Sequence, residues 1–364
     1  MANNLNDIAI VNIDIAAPAV DSASFDNLLI VGLPPVTTPP NPLPAVGVYS
    51  DLSEVIEAGF VAIGDSADPI GIAARIAFSQ NPKPSKIYIA AQQEGESMAL
   101  EPVTDTLNRA LNTAGWYMVC PAGVPENDFK NIAEWTEAQT KQFAYTFLSE
   151  TDPVSDIYFR SQGWCGLEDD NQDIADVPVS NQYLHVAAAA KCLSHPAGEE
   201  TWAFKRLAAV LPSQFSGALK KSLVDGHSNY FAQYAGRNIT MNGQVRGGEW
   251  IDVIRGRDWL QNDMQLRIFN LLIMNPKIPY TNSGIAKVQN EMIASLKSAQ
   301  SRQIVAENEY DEDGNLVPGF TTSVPNSMSL TATQKASRVL PDCRFSARLA
   351  GAIHVVRVDG VLTY

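Results

Sequence analysis

Residues 351–364, GAIHVVRVDGVLTY, constrain the fold more than any other stretch of the chain. Ile353, Val355, Val356, Val358, Val361 and Leu362 make an apolar, β-rich tail. A buried strand must pair its backbone N–H and C=O groups, and chain ends are ordinarily polar and loose unless something ties them down. The tail therefore needs a sheet edge, on its own body or on another molecule. The opposite end poses the same demand. In IAIVNIDIA, Val11, Ile13 and Ile15 point one way and Asn12 and Asp14 the other, the period-two pattern of a half-buried strand. Pro18 ends that run.

Between the two ends lie enough residues for a large core. The chain has 364 residues, 45% hydrophobic and 18% charged, which places it among folded globular proteins of one or two domains. No apolar run approaches the ~20 residues of a membrane span, so no membrane insertion is expected. The opening MANNLNDIAI lacks the pattern of a signal peptide. Cys120, Cys165, Cys192 and Cys343 are far apart and never CxxC, as expected of reduced thiols in a protein made in a cytoplasm.

NLLIVGL (27–33) reads as a buried strand running into a proline-dense loop. From about 50 to 160 the texture alternates. Helices are expected at SDLSEVIEAG, with Ser50 or Asp51 as N-cap, at DPIGIAARIAFSQ, at PVTDTLNRALNTAG and at KNIAEWTEAQTKQ. Strands are expected at KIYIAA, WYMVCP and DIYFRS (156–161). Such alternation predicts an α/β layer with a largely parallel sheet. Two further helices follow, at SNQYLHVAAAAKCLSH and around TWAFKRLAAVL.

The character changes near 218. A helix and strand are expected over ALKKSLVDGHSNYFAQYAG, a hairpin turn at Asn242-Gly243, and a sheet extension at EWIDVIRG. RDWLQNDMQLRIFNLLIM predicts a long helix ended by Asn275-Pro276. Ile285, Val288, Met292, Leu296 and Ala299 stripe the helix after it. EYDEDGNLVPGF reads as an exposed hairpin tip, and 338–345 and 351–364 as final strands. The boundaries expected are an N-terminal arm 1–20, an outer α/β domain 21–217, a C-terminal domain 218–345 and a C-terminal arm 346–364.

Charge is uneven along the chain. Residues 1–200 hold 8 Lys and Arg against 27 Asp and Glu, whereas 201–300 hold 12 against 6. The net charge of −14 speaks against nucleic acid as the partner. The basic stretch suits an acidic protein surface, or else is offset by local carboxylates. Arg246, Arg255, Arg257 and Arg267 interleave with Trp250 and Trp259, but the neighbouring Glu249, Asp252, Asp258 and Asp263 favour ion pairs or a protein interface.

Chemistry-bearing motifs are scarce. GxxxxGK[ST], GxGxxG after a strand, GxSxG and HExxH are all absent. Asp225 and His227 read as a turn, without a partner nucleophile. Glu309, Asp311, Asp313 and Gly314 imitate the start of a calcium loop, but Phe320 stands where its glutamate belongs. Glu168, Asp169, Asp170, Asp173 and Asp176 read as a solvated loop. No catalytic residue, cofactor or metal site is assigned. An α/β enzyme or ligand-binding protein with an unrecognised site in 26–217 is the alternative.

From about 218 to 305 the sequence resembles the C-terminal domain of contractile phage tail sheath subunits. The features that carry this are Asn229 near a helix–strand junction, the hairpin at Asn242-Gly243, the segment Trp250-x-Asp252-Val253-x-Arg255-Gly256-x-Asp258, the long helix, a proline-containing link, Thr281, the second helix and the two terminal strands. The resemblance implies a structural, non-catalytic subunit polymerising as stacked hexameric rings around an inner tube, and contracting to drive that tube through a host envelope. It implies an outer α/β domain plus a C-terminal polymerisation domain with exchanged terminal strands. The partners it implies are other copies, the inner tail tube, and baseplate and terminator proteins. The location it implies is a virion tail, after synthesis in the bacterial cytoplasm. On this reading Val11, Ile13 and Ile15 at one end, and Ile353, Val355, Val356 and Val358 at the other, are the exchanged strands. Hinges are expected at Pro18–Ser24 and at Ala350-Gly351. Lys277, Lys287 and Lys297 are expected on the second helix, facing the tube.

Overall fold

Every residue of β1 (Leu28–Gly32) is buried. Leu28 and Ile30 enter one core and Leu29 and Val31 another, so this strand lies mid-sheet with both faces covered. The computed structural model describes residues 24–360 except 95–98, 114 and 171. Val11, Ile13 and Ile15, with the expected N-terminal arm, lie outside the described residues, as do Val361 and Leu362.

Eight strands form the main sheet. After β1 come β2 (Gly47–Tyr49), β3 (Ile87–Ala91), β4 (Met118–Ala122), β5 (Gln142–Phe147), β6 (Ser161–Cys165), β7 (Asn229–Tyr234) and β8 (Arg237–Met241). Their spatial order is β2-β3-β1-β4-β5-β6-β7-β8. The six inner strands are parallel, and β2 and β8 close the edges antiparallel. The α/β layer expected from the alternation is present. The sheet also runs on past position 218, where a domain boundary was expected, because β7 pairs with β6.

Helices cover both faces. α1 (Leu52–Glu57) starts on Asp51, whose carboxylate accepts from the Glu54 N–H at 3.1 Å. α2 (Pro69–Phe78) and α5 (Leu184–Leu193) bury Ile70, Ile76, Val186 and Leu193 against one face. α3 (Val103–Ala110), α4 (Phe129–Glu137) and α6 (Gly217–Asp225) bury Leu107, Ile132 and Leu219 against the other.

Beyond the sheet come α7 (Ile251–Met274) and α8 (Asn282–Ser301), packed side by side. Thr281 caps α8, its hydroxyl accepting from the Gly284 N–H at 3.2 Å. Of the expected stripe, Ile285, Met292, Leu296 and Ala299 are buried and Val288 is half-buried. β9 (Glu309–Tyr310) and β10 (Leu316–Val317) make the expected hairpin tip. β11 (Phe320–Ser323) and β12 (Arg344–Ala347) form a separate two-stranded antiparallel sheet, with α9 (Ala332–Ala336) between them in sequence.

Five local expectations are corrected. EWIDVIRG does not extend the sheet: Trp250 caps α7, and Ile251, Ile254, Arg255 and Asp258 bury one helical face. The 201–211 stretch is not helical. Phe204 (φ 63°) and Ala209 (φ 62°) are left-handed, and Phe204 N–H and Lys205 C=O bond Thr240 beside β8. The β7–β8 turn falls at Ala235-Gly236, both at positive φ, and not at Asn242-Gly243. Asn242 (φ 75°) and Gly243 (φ 99°) turn the chain after β8 instead. The strand expected at 156–161 starts only at Ser161, because Ile157 and Phe159 are exposed. Residues 338–343 and 351–360 form no strand within the single chain.

Candidate assembly surface

Asn229 and the Trp250–Asp258 segment were singled out by resemblance, and their geometry supplies the physical reason for them. Asn229, at the start of β7, is fully buried and fully bonded. Its amide donates to Gly163 C=O (3.1 Å) and Gln244 C=O (2.8 Å), and its carbonyl accepts from the N–H groups of Gly243 (2.7 Å) and Gln244 (2.9 Å). One side chain thus clamps the loop leading to α7 against β6.

Arg255 and Asp258, three positions apart on α7, face the sheet domain together. The buried Arg255 guanidinium donates to Glu200 (2.5 Å), Asp26 (2.8 Å), Phe25 C=O (2.9 Å) and His195 C=O (2.7 Å). Burial pushes the Glu200 carboxyl up against the pull of Arg255. The buried Asp258 accepts from Arg160 (2.7 and 3.0 Å) and from the Tyr117 hydroxyl (2.8 Å). Burial, then the Asp258 carboxylate, hold the Tyr117 phenol well above its usual range. Arg246 reaches Asp152 at 3.4 Å. Arg246 and Arg255 of the basic stretch thus pair with carboxylates of 1–200 inside the same molecule, and Asp258 with an arginine of 1–200.

The rest of α7 leaves the body. Its buried residues end at Asp258, and Phe269, Leu272, Ile273 and Met274 are exposed at its far end. Lys277, Lys287 and Lys297 are exposed and in no ion pair with a described residue. Lys277 sits on the link before α8, not on α8 as expected, and the Lys287 ammonium donates to Asn275 at 3.1 Å.

The C-terminal segment is largely uncovered. β12 pairs with β11 from Arg344↔Ser323 to Ala347↔Phe320. Among the described residues neither outer edge of this pair meets a third strand. Leu349 bridges Val305, and Ala350 N–H donates to Ile304 C=O at 3.1 Å. Beyond that point Ile353, Val355, Val356 and Val358 are 82%, 77%, 75% and 85% exposed. Bare aliphatic side chains at these levels lie beside a two-stranded sheet with both outer edges open, the kind of surface that marks an interaction site.

The α/β body holds a cleft of about 150 Å³ at the carboxyl ends of β4 and β5, the place where an enzyme of this class would bind. Its His185 is locked between the Thr146 hydroxyl (2.8 Å) and Pro121 C=O (3.1 Å), and burial lowers its pKa to about 3. Among the described residues no group of three metal-ligating side chains converges, and no helix is long and apolar enough to cross a membrane.

The architecture as a whole is that of contractile sheath proteins. Over 97% of this chain and 98% of the other, it matches the helical sheath of an anti-feeding prophage in its contracted state, with a TM-score of 0.68 and 12% identity. The sheath of an extracellular contractile injection system, PVC, also contracted, matches over 99% and 98% with a TM-score of 0.57 and 11% identity. A sheath tail protein from Desulfitobacterium hafniense matches over 86% and 93% with a TM-score of 0.53 and 8% identity. At these identities the likeness is one of fold. Residues 251–361 match the family model described as E217 tail sheath protein gp31-like, C-terminal domain. No curated protein sequence matches the chain. The resemblance read from 218–305 is thus found again by a family model over the C-terminal part and by fold over the whole. Both liken the chain to the sheath proteins of contractile tails and injection systems.

Proposed function

We propose that this chain polymerises as stacked six-membered rings around an inner tube, and that the stack shortens to drive the tube through a host envelope. The observation that carries this reading is the exposed aliphatic run 353–358 beside the open β11–β12 sheet. A neighbouring copy lends its arm to that sheet, an addition of strand to edge. Hydrogen bonds at about 0.5–1.5 kcal/mol each roughly balance the ordering of ~6 residues at about 1–2 kcal/mol apiece. Burial of the aliphatic anchors, at about 1.5–3 kcal/mol each, decides the sign. The N-terminal run Val11, Ile13 and Ile15 is assigned the same duty on another copy.

In this reading the α/β body is the outer part, and α7 to β12 with both arms is the polymerising part. The far end of α7, with Lys277, Lys287 and Lys297, faces the inner tube. Baseplate and terminator proteins cap the stack in the finished tail, and the subunit is made in a bacterial cytoplasm. Negative-stain microscopy of the purified protein tests this directly: striated cylinders are expected, and uniform small particles under all assembly conditions would reject it.

A further inference from the structure

Within 351–360 every residue is exposed except His354. Its imidazole Nε2 lies 2.8 Å from the Thr201 hydroxyl oxygen. Its ring meets Trp250 edge-on, centroids 4.6 Å apart at 83°, and Phe204 at 5.5 Å and 81°. Thr201 and Phe204 belong to the irregular segment beside β8, and Trp250 caps α7, so three residues from two separate parts of the body converge on one tail side chain. Phe204 holds its place from a left-handed backbone (φ 63°), a conformation that is strained in a non-glycine residue and persists only where surroundings impose it. The same wall continues inward. Gly198 (φ 96°) comes so close to Arg302 C=O that a Cβ there would meet the oxygen at 2.3 Å. A cavity of about 300 Å³, bounded by Glu199, Lys205, Asp252, Leu349, Gly351 and other residues, lies under the tail.

We propose that the cleft of Thr201, Phe204 and Trp250 is a receptor for the root of the chain's own C-terminal arm, seating His354, so that the length free to join another copy begins at Val355. Its bearing on assembly rests on the reading given above; the clasp itself is a property of one chain. The clasp moves the flexible point. Gly351 (φ 66°) was expected as the hinge, yet it lies between two fixed points, the Ala350 N–H bond and His354. Arms leaving from a seated His354 share one starting direction, which lowers the ordering cost of docking on a neighbour.

The clasp also responds to acid. Burial, then the nearby Lys205 ammonium, keep the seated imidazole less basic than a free one. The released ring takes up a proton near its ordinary value of about 6.5, so seating is complete above that pH and weakens as pH falls below it. The charged groups around the cleft are Glu199, Glu200 and Lys205 on the irregular segment, and Glu249 and Asp252 at the start of α7. Glu200 is held by Arg255. Asp252 is pushed up to about 6 by burial and then by Glu249. It titrates in the same window, so Asp252→Asn is the required control.

The test uses the full chain kept unassembled, so that failure to polymerise cannot imitate failure of the clasp. Imidazole carbon-13 resonances are followed against pH, and the His354 signal is assigned by its loss in His354→Gln. The expected result is a His354 midpoint below that of a free histidine, returning to the ordinary value in Trp250→Ala and in Phe204→Ala; the second variant changes a half-exposed side chain and keeps the test valid if the first misfolds. A spin label at Ala352→Cys, in a Cys343→Ser background, should be immobile at pH 7.5 and become mobile on His354→Ala, whereas one at Val358→Cys is mobile in both. A His354 midpoint at the ordinary value, or equal mobility at 352 with and without His354, overturns the proposal. If the clasp holds and no polymer forms under any condition, the clasp stands and the sheath reading falls.

Discussion

Arg255 donates from Nε to the carbonyl of Phe25 at 2.9 Å, across 230 positions of sequence. Five positions earlier, the Trp250 ring meets that of His354 edge-on. The first residues of the described chain and the root of the C-terminal arm are therefore both fastened to the start of α7. The segment that ties α7 to the α/β body thus also contacts Phe25 and His354.

The Arg255–Glu200 pair has no access to solvent on either side. Arg255→Leu leaves Glu200 buried and unpaired, and should destabilise the subunit by about 3–5 kcal/mol. Glu200→Gln should cost less, and the double variant less than the sum of the singles. Urea unfolding checks this; a loss under about 0.5 kcal/mol in Arg255→Leu contradicts the role given to the pair.

Asn229→Ala strips partners from two buried N–H groups and two carbonyls at once. Each unsatisfied group costs about 1–3 kcal/mol, so a loss above about 2 kcal/mol is expected in thermal or urea unfolding. Asn242→Ala removes one bond, to Ser228 C=O at 3.1 Å, and should cost markedly less.

How far the sequence spoke depended on where side chains point. β1, β3 and β4 are uniformly apolar and buried on both faces, and their pattern is visible without coordinates. β6 is SQGWC, and its buried Gln162 accepts from Trp164 at 3.0 Å and donates to Gln142 of β5 at 3.4 Å. A polar residue satisfied within the sheet looks like a loop in sequence. The start of α7 was misread because Ile251 and Val253 alternate, while the decisive contacts of Arg255 and Asp258 reach residues about 55 to 230 positions away. The clasp was not legible at all: His354 stood between two aliphatic residues of a strand-like run, and nothing local marks Thr201 or Phe204 as its partners. Val355, Val356 and Val358, expected in a strand, are exposed and pair with no strand of the described chain.

His185 gives the subunit an acid-sensitive core. Its pKa is lowered to about 3 by burial, so the folded chain keeps it neutral while the unfolded chain protonates it below about 6.5. Stability from this group is complete above pH 6.5 and is lost progressively as pH falls towards 3, up to about 4–5 kcal/mol over the full range. His185→Gln should flatten the dependence of unfolding free energy on pH between 6.5 and 4. An unchanged slope contradicts the assignment.

Ending the chain after His354 removes residues 355–360, all exposed, and the four that follow them. The melting temperature of the unassembled subunit should move by less than about 2 °C, while cylinder formation is lost. Assembly at the full chain's level would show that the arm is dispensable.

Replacing Lys277, Lys287 and Lys297 together by Glu should leave subunit stability unchanged, because all three are exposed and in no ion pair with a described residue. Co-assembly on an inner tube should weaken, and rising salt should weaken the parent in the same way. Equal tube-guided assembly in the variant contradicts the tube-facing assignment.

The most direct test is a density map of the assembled polymer in which residues 355–360 can be traced. The account predicts that they form a strand on the free edge of β11 or β12 of a different copy, with Val355, Val356 and Val358 no longer exposed. A map in which each tail lies along its own subunit, and no copy contributes a strand to another, contradicts it.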